Sequence, residues 1–139
     1  MAYDPNNIFA KILRNELPAI RIYEDADTLV FMDIMPQADG HVLVIPKEAA
    51  ETLMDLSEES ARACIVITRH LAAVVKQALG PPAVSIMQMN GAAAGQTVPH
   101  CHFHVIPRSP GASLGIHAAE RADPEKLEAI ARKIRDCLP

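Results

Sequence analysis

The sequence predicts a single α+β domain that contains an antiparallel sheet of about five strands, one long helix and one or two shorter helices. Short runs rich in β-branched and apolar residues alternate with turn residues, and these connections are too short for parallel crossovers. Residues 57–79 instead carry apolar side chains at a period near 3.6, which is typical of a helix with one buried face. The 139 residues suit one domain, 1–139.

The first third of the chain predicts a short helix followed by three strands. Ile8, Phe9 and Ile12 fall at helical spacing, which predicts a helix over 6–14. Pro18 lies beyond its end and does not continue it. Three short apolar runs, separated by turn residues, then predict strands at 19–24, 28–34 and 41–46.

The long helix has clear start and stop signals. Ser57 can cap its N-terminus, with two glutamates favourably placed in the first turn, and Gly80 followed by two prolines ends it. Asp123 followed by Pro124 predicts the start of a last helix over about 123–138. Two further strands are predicted between these helices, at 84–89 and 100–107.

Composition argues against several classes of protein. A net charge of −4 with no run of lysine or arginine speaks against binding to long nucleic acid, whose affinity comes largely from phosphate neutralisation. No stretch approaches the roughly 20 apolar residues that a membrane-spanning helix needs, and no signal-peptide pattern is visible, so we expect no membrane association. The three cysteines form no Cys-x-x-Cys pair, so we expect no disulfide framework and a reducing, cytoplasmic location.

Three histidines alternate with other residues in the fifth predicted strand: His100, His102 and His104. Side chains of a strand alternate between its two faces, so three imidazoles are expected on one face. The opposite face, in the core, is expected to carry Cys101, Phe103 and Val105. His41, at the start of the predicted strand 41–46, adds a fourth imidazole. Because buried imidazoles need hydrogen-bond partners, such a cluster indicates a functional site.

Two kinds of chemistry fit this cluster. Histidines two residues apart on a strand can ligate zinc, and His41 could add a ligand, although no cysteine pair or nearby acidic residue completes a four-ligand site. Alternatively, an imidazole nitrogen can attack phosphorus and form a covalent intermediate. The loop 90–98 favours catalysis, because its glycines let the backbone approach a phosphate while Gln96 and Thr97 offer side-chain donors. The residues alone leave both interpretations open.

Residues 100–106 fit the pattern His-φ-His-φ-His-φ-φ, in which φ is apolar, and with the preceding 95–98 they resemble the histidine triad (HIT) family. The resemblance extends to upstream segments of the Hint branch and its bacterial relatives, at 8–14, 31–37 and 40–47. It covers roughly 5–108, and four motifs in the same order make it specific. It implies a HIT domain that acts on small nucleotides of the AMP or GMP type.

The resemblance implies catalytic roles for five residues. His102 would attack the α-phosphorus of a purine nucleoside phosphoramidate, an adenylate or a dinucleoside polyphosphate, and water would then hydrolyse the nucleotidyl-histidine. The backbone carbonyl of His100 would orient this nucleophile, and His104 would contact the phosphate. His41 would complete the imidazole cluster, and Thr97 would lie near the leaving-group atom.

The same resemblance implies a substrate pocket. Asp33 would accept hydrogen bonds from the ribose hydroxyls. Asn90 and Gln96 would hydrogen-bond the phosphate or ribose region, where the backbone at Gly95 would approach the phosphate. An apolar slot for the base would be lined by residues that periodicity alone assigns to the core: Ile8, Phe9, Ile12, Phe31 and Ile34.

The chain departs from its relatives in two places. Many bacterial members carry a Cys-x-x-Cys pair that helps to bind zinc, whereas Asn7 and Ala10 stand at those positions here, so we expect no structural zinc and no required cofactor. The chain has no tryptophan and therefore lacks the Trp-containing tail of the Hint proteins. It ends instead in the predicted helix, after a loop that contains His117. The resemblance also implies a homodimer whose two sheets join.

Three other functions stay open at this point. A nucleotidyltransferase would pass the nucleotidyl group to an acceptor other than water, although transferases of the related branch carry Gln in place of the third histidine, which is His104 here. A nucleotide-binding regulatory or adaptor protein would keep the pocket and only vestigial activity. A zinc-binding module would use His41 and His100.

Overall fold

The computed structural model describes residues 2–111 and 120–139, and His117 lies outside them. Within these residues the strands are β1 (Arg21–Glu24), β2 (Thr28–Met32), β3 (Val42–Pro46), β4 (Ala83–Gln88) and β5 (Phe103–Arg108). They form one antiparallel sheet in the order β1-β2-β3-β5-β4. The predicted α+β class with a five-stranded antiparallel sheet is confirmed.

The α-helices in the described residues are α1 (Ile8–Leu13), α2 (Glu58–Leu79) and α3 (Pro124–Asp136). None of the helices in this part of the chain combines the length and the apolar surface needed to cross a bilayer. Two short 3₁₀ turns were not predicted, at Leu53–Asp55 and Ala92–Ala94.

The helix-end signals act as predicted. The Ser57 side chain accepts a hydrogen bond from the backbone N–H of Ser60, and Gly80 ends α2 in the left-handed conformation at φ 68°. The Asp123 side chain accepts from the N–H of Glu125, with proline in the first turn of α3. These caps supply partners for backbone groups that a helix end leaves unpaired.

The two faces of the sheet pack against different partners. On one face, β2 and β3 contribute Val30, Met32, Val42 and Val44 to the main core, where α2 adds Leu71 and Val75 and α3 adds Ile130 and Ile134. The opposite face packs against α1 in a smaller cluster formed by Phe9, Ile12, Leu29, Phe31, Leu43 and Ile45. Helices α2 and α3 therefore cover one face, and the small α1 leaves room on the other face for a cavity.

The fifth strand begins later than predicted. It starts at Phe103, whereas the sequence predicted 100–107, so His100 and His102 lie in the extended segment before it. The reason is that the backbone of this segment bonds elsewhere: the N–H of Cys101 donates to the carbonyl of Ala50 at 2.8 Å. The predicted alternation survives, because Cys101, Phe103 and Val105 all lie in the main core. The other strands differ from their predicted ranges by one or two residues at an end.

Candidate active site

The face of the sheet beside α1 carries a cavity of about 430 Å³. His41, His102 and His104 line it and are almost completely buried. The ring centroids of His102 and His104 lie 5.0 Å apart, and those of His41 and His104 lie 5.1 Å apart. His104 reaches this face because it pairs with Leu43 across β3 and β5. The structure thus brings three of the four predicted imidazoles to one cavity.

The cavity has an apolar part between α1 and the sheet. All five residues predicted for a base slot line it: Ile8, Phe9, Ile12, Phe31 and Ile34. The rings of Phe9 and Phe31 meet edge to face with centroids 5.3 Å apart. Ile8 and Ile34 leave substantial apolar surface exposed. Such a slot suits a flat apolar ring whose polar substituents reach outward.

Hydrogen bonding sets the tautomer of His102, and burial keeps the ring neutral. Its Nδ1 lies 2.7 Å from the backbone carbonyl oxygen of His100. A carbonyl only accepts, so Nδ1 carries a hydrogen and donates it, and the neutral ring keeps its lone pair on Nε2. Burial lowers the pKa of His102, and the bond to the His100 backbone opposes that shift only in part. The ring is therefore neutral near pH 7 and nucleophilic at Nε2.

His100 lies behind the cavity wall and is completely buried. Its Nε2 donates to the carbonyl oxygen of Pro46 at 2.8 Å. Its Nδ1 consequently accepts, and the Tyr3 hydroxyl donates to it at 2.6 Å. Burial lowers the pKa of His100, although the hydrogen bond to Pro46 acts in the opposite direction.

A second hydrogen-bond chain orients His104. The backbone N–H of Gln37 donates to Nδ1 of His41 at 3.0 Å, so the hydrogen of the neutral His41 ring is on Nε2. Nε2 of His41 then donates to Nδ1 of His104 at 2.9 Å, which leaves the hydrogen of His104 on Nε2. Burial, followed by the nearby His104 and His102, lowers the pKa of His41 to about 3. This series of hydrogen bonds makes His104 a hydrogen-bond donor through Nε2.

Asp33 follows β2 and lines the cavity next to His41. One carboxylate oxygen accepts from the backbone N–H of Met35 at 2.8 Å, and the other lies 3.4 Å from His41 Nε2. Burial raises the pKa of Asp33, while the Met35 hydrogen bond opposes the shift. Because the His41 ring is neutral, this contact is not an ion pair, and the carboxylate keeps accepting capacity for a ligand.

Residues of the loop 90–98, before the histidines, have two different roles. Gly95 and Thr97 line the cavity, as predicted, and Gly95 adopts φ 101°, a conformation that favours glycine. Asn90 and Gln96 do not line it. Their contact with a phosphate or ribose, which the resemblance implied, therefore stays a prediction.

The side-chain amides of Asn90 and Gln96 instead form hydrogen bonds with backbone groups of the protein. Asn90 Oδ1 accepts from the backbone N–H of Leu53 at 2.7 Å. Gln96 accepts from the N–H of Gly91 and donates to the carbonyl of Glu51, each at 2.7 Å. Two of these bonds connect the glycine loop to Glu51 and Leu53, in the segment between β3 and α2.

One group in residues 2–111 and 120–139 has ligand atoms close enough to hold a metal: Asp33, His41 and His104. The Gln37 bond puts the His41 hydrogen on Nε2, so the nitrogen that faces the group has no lone pair for a metal. Asn7, at a position where the resemblance would place a cysteine, caps α1 with its oxygen and donates its amide to Tyr3. These hydrogen bonds argue against a metal at this group, and the absence of a required cofactor stays a prediction.

The sequence analysis missed several residues around the cluster, among them Tyr3, Gln37 and Arg121. Arg121 lines the cavity from the segment before α3, and the N–H of the next residue, Ala122, donates to the carbonyl of Ile34 at 2.9 Å. Each of the three is a single loop residue without periodicity. Tyr3 also lies outside the segment 5–108 that the resemblance covers.

Comparison with known proteins agrees with this architecture. The HIT domain model matches residues 14–111. The adenosine 5′-monophosphoramidase hnt1 of Schizosaccharomyces pombe is 36% identical over 130 residues, which cover 91% of this chain and 94% of that protein. The protein hit of Bacillus subtilis is 35% identical over 133 residues, covering 93% and 92%.

Solved structures give the same result. A Hit-like protein from Bartonella henselae, described as involved in cell-cycle regulation and crystallised with an unknown ligand, superposes with a TM-score of 0.92 at 48% identity, covering 99% of this chain and 100% of that chain. A zinc-bound histidine triad family protein from Mycobacterium smegmatis gives 0.83 at 35% identity, covering 95% and 92%. Sequence match, fold and histidine cluster agree, and the chain belongs to the HIT domain family.

Proposed function

We propose that the chain is a nucleotide hydrolase that cleaves at the α-phosphate of purine nucleoside phosphoramidates, adenylates or dinucleoside polyphosphates. The reaction passes through a covalent nucleotidyl-His102 intermediate and requires no metal. The observation that carries the proposal is the bond from His102 Nδ1 to the His100 carbonyl, because it leaves the lone pair on Nε2 of a ring that lines the cavity.

The cavity supports a specific mode of binding. The base occupies the apolar slot between α1 and β2, and Asp33 accepts hydrogen bonds from the ribose hydroxyls. The α-phosphate then lies among His102, His104 and Thr97. Nε2 of His104 donates to a phosphate oxygen, and the Thr97 hydroxyl donates near the leaving group.

The reaction has two displacements. The Nε2 lone pair of His102 forms a bond to the α-phosphorus, the bond from phosphorus to the leaving nitrogen or oxygen breaks with its electron pair, and the leaving group takes up a proton from solvent. Water then attacks the phosphorus and loses its proton. The bond from phosphorus to His102 breaks, its electrons return to Nε2, and a nucleoside monophosphate is released.

Relatives support the class of substrate. Two proteins similar to this chain are adenosine 5′-monophosphoramidases, from Schizosaccharomyces pombe and from Candida albicans. Their names denote cleavage of a bond between nitrogen and the phosphorus of an adenosine nucleotide, which is the chemistry proposed for His102.

The test is a comparison of His102→Ala with wild-type protein on adenosine 5′-phosphoramidate, lysyl-adenylate and diadenosine polyphosphates. We expect His102→Ala to lose turnover while it retains AMP binding, and quenched wild-type reactions to show a nucleotidylated protein by mass spectrometry. His70→Ala, on α2, is the matched control with wild-type rates. Wild-type kcat in His102→Ala would exclude the covalent mechanism, and tight AMP binding without turnover of any substrate would favour a regulatory function.

The proposal includes a homodimer. Strand β4 is at the edge of the sheet and pairs with β5 on one side only. Its Ile86 is 48% exposed, and on α2, which packs against β4, Ile65 and Val66 are 49% and 58% exposed. A second copy that pairs along β4 would continue the sheet and cover these apolar side chains.

A further inference from the structure

We propose that Tyr3 is a positioning residue for the nucleophile His102 and that it acts through the ring and the backbone carbonyl of His100. The inference rests on the proposed function, because it takes His102 as the nucleophile. Tyr3 lies near the start of the chain, and none of its atoms is needed to form the cavity wall.

The connection is a continuous chain of hydrogen bonds. The Asn7 amide donates to the Tyr3 hydroxyl oxygen at 2.8 Å, and the Tyr3 hydroxyl donates to Nδ1 of His100 at 2.6 Å. The His100 carbonyl oxygen in turn accepts from Nδ1 of His102 at 2.7 Å. Only His100 separates Tyr3 from the proposed nucleophile.

The direction of each bond follows from the chemistry of the partners. The Asn7 amide nitrogen can only donate, so the Tyr3 hydroxyl accepts from it and has its own hydrogen for His100. The Pro46 carbonyl can only accept, so it requires a hydrogen on Nε2 of His100 and a lone pair on Nδ1. Tyr3 and Pro46 therefore select the same tautomer of His100.

Removal of the Tyr3 hydroxyl would leave that lone pair unpaired. His100 is completely buried, so water does not reach it to take over the bond. The ring then gains freedom to turn or to move its hydrogen to Nδ1, and the second change would set a lone pair against the Pro46 carbonyl oxygen. Either change loosens the His100 carbonyl, which holds the hydrogen of His102 on Nδ1.

Aromatic rings packed around His100 and His102 limit how the site can compensate for loss of the Tyr3 hydroxyl. The Phe9 ring packs edge to face with both histidines, with centroids 6.4 Å from His100 and 5.0 Å from His102. Tyr3 itself packs edge to face with His100 at 5.7 Å. The aromatic contacts would persist in a phenylalanine variant, so the substitution Tyr3→Phe isolates the hydroxyl.

The chain provides a matched control, since its second tyrosine also makes a partly buried hydrogen bond. The Tyr23 hydroxyl donates to Asp25 at 2.9 Å, and Tyr23 packs against the main core, on the face of the sheet away from the cavity. Tyr23→Phe therefore loses one partly buried tyrosine hydrogen bond that has no link to His100. Comparison of the two variants separates positioning from general stability.

The experiment measures two independent readouts on full-length protein. Side-chain ¹⁵N spectra of the free protein report the tautomers of His100 and His102, and steady-state kinetics with adenosine 5′-phosphoramidate report kcat and KM. In Tyr3→Phe we expect a loss of the pure Nδ1–H tautomer of His102 and a fall in kcat of about 10-fold with KM nearly unchanged. Tyr23→Phe should keep both tautomers and the wild-type kcat.

The inference is overturned if Tyr3→Phe keeps the wild-type His102 tautomer, or if its kcat falls no further than that of Tyr23→Phe. The proposed function fails in a different way, namely if wild-type protein turns over none of the substrates. The ¹⁵N spectra still test the effect of Tyr3 on His102 in that case, because they need no substrate.

Discussion

Nδ1 of His102 donates a hydrogen bond to the backbone carbonyl oxygen of His100 across 2.7 Å. This one contact decides which nitrogen of the imidazole is nucleophilic, and burial of the ring keeps that nitrogen unprotonated. A main-chain acceptor is suited to this task because it cannot donate in return and cannot titrate.

The acid limb of the rate profile should reflect the lowered pKa of His102. Attack needs the neutral ring, so activity is lost as the pH falls through the pKa of the folded protein, which burial holds below the ordinary value of about 6.5. We expect kcat/KM for adenosine 5′-phosphoramidate to be level at neutral pH, with an acid midpoint below about 6.5. A midpoint at or above that value would contradict the assignment.

Asp33 should determine recognition of the ribose. Its carboxylate lines the cavity and retains accepting capacity, and hydrogen bonds to a charged acceptor are strong. We expect Asp33→Asn to lower kcat/KM for adenosine 5′-phosphoramidate about 10- to 100-fold. The wild type should also discriminate against the 2′,3′-dideoxy analogue, and Asp33→Asn should not.

An exposed aspartate on the same connection is the control for that substitution. Asp39 pairs with Lys126 at 3.2 Å on the surface. Asp39→Asn should leave both substrates at wild-type rates. Discrimination against the dideoxy analogue that persists in Asp33→Asn would mean that another group reads the ribose.

Stability should fall in mild acid because of the buried imidazoles. Burial lowers the pKa of His41 to about 3 and also lowers those of His100 and His102. As the pH falls, the unfolded chain therefore binds protons before the folded protein does. The stability that these neutral imidazoles contribute is complete above about pH 6.5 and is lost as the pH falls toward the pKa of the folded state. Each such group reduces the free energy of unfolding by up to ~1.4 kcal/mol per pH unit.

Urea unfolding between about pH 6 and about pH 4 measures this effect as a slope. His41→Gln removes one of the buried groups, so we expect its slope to be smaller by close to one proton. Burial raises the pKa of Asp33 and acts in the opposite direction, but Asp33 is present in both proteins. Equal slopes in His41→Gln and in the wild type would refute the prediction.

The edge of β4 should mediate dimer formation. Ile86 projects from this strand with 48% of its surface exposed, and a charge there would lie in the proposed interface. We expect Ile86→Glu to halve the mass measured by light scattering and to retain the circular dichroism of the wild type. Met54→Glu, at a residue that is 75% exposed on a 3₁₀ turn, should remain dimeric. A monomeric wild-type protein would refute the proposed dimer.

Local patterns predicted much of the fold. Ser57, Gly80 and the Asp123-Pro124 pair mark helix ends because capping depends on neighbours only a few residues away. The alternation around His102 predicted which side chains enter the core, because successive side chains of an extended chain point to opposite faces. The resemblance to the HIT family added the residues of the apolar slot, all of which line the cavity.

Tertiary contacts decided the rest, since hydrogen-bond partners distant in sequence leave no local pattern. Tyr3 meets His100 across 97 positions, and Gln96 turns its amide toward Glu51, 45 positions earlier, so it braces the loop rather than facing the cavity. The backbone bond from Cys101 to Ala50 likewise delays the start of β5. Patterns in the sequence predicted the five strands, the helices and the face that the histidines share. Only the folded chain decided which imidazole nitrogen carries the lone pair, because a tautomer depends on the groups that pack around the ring.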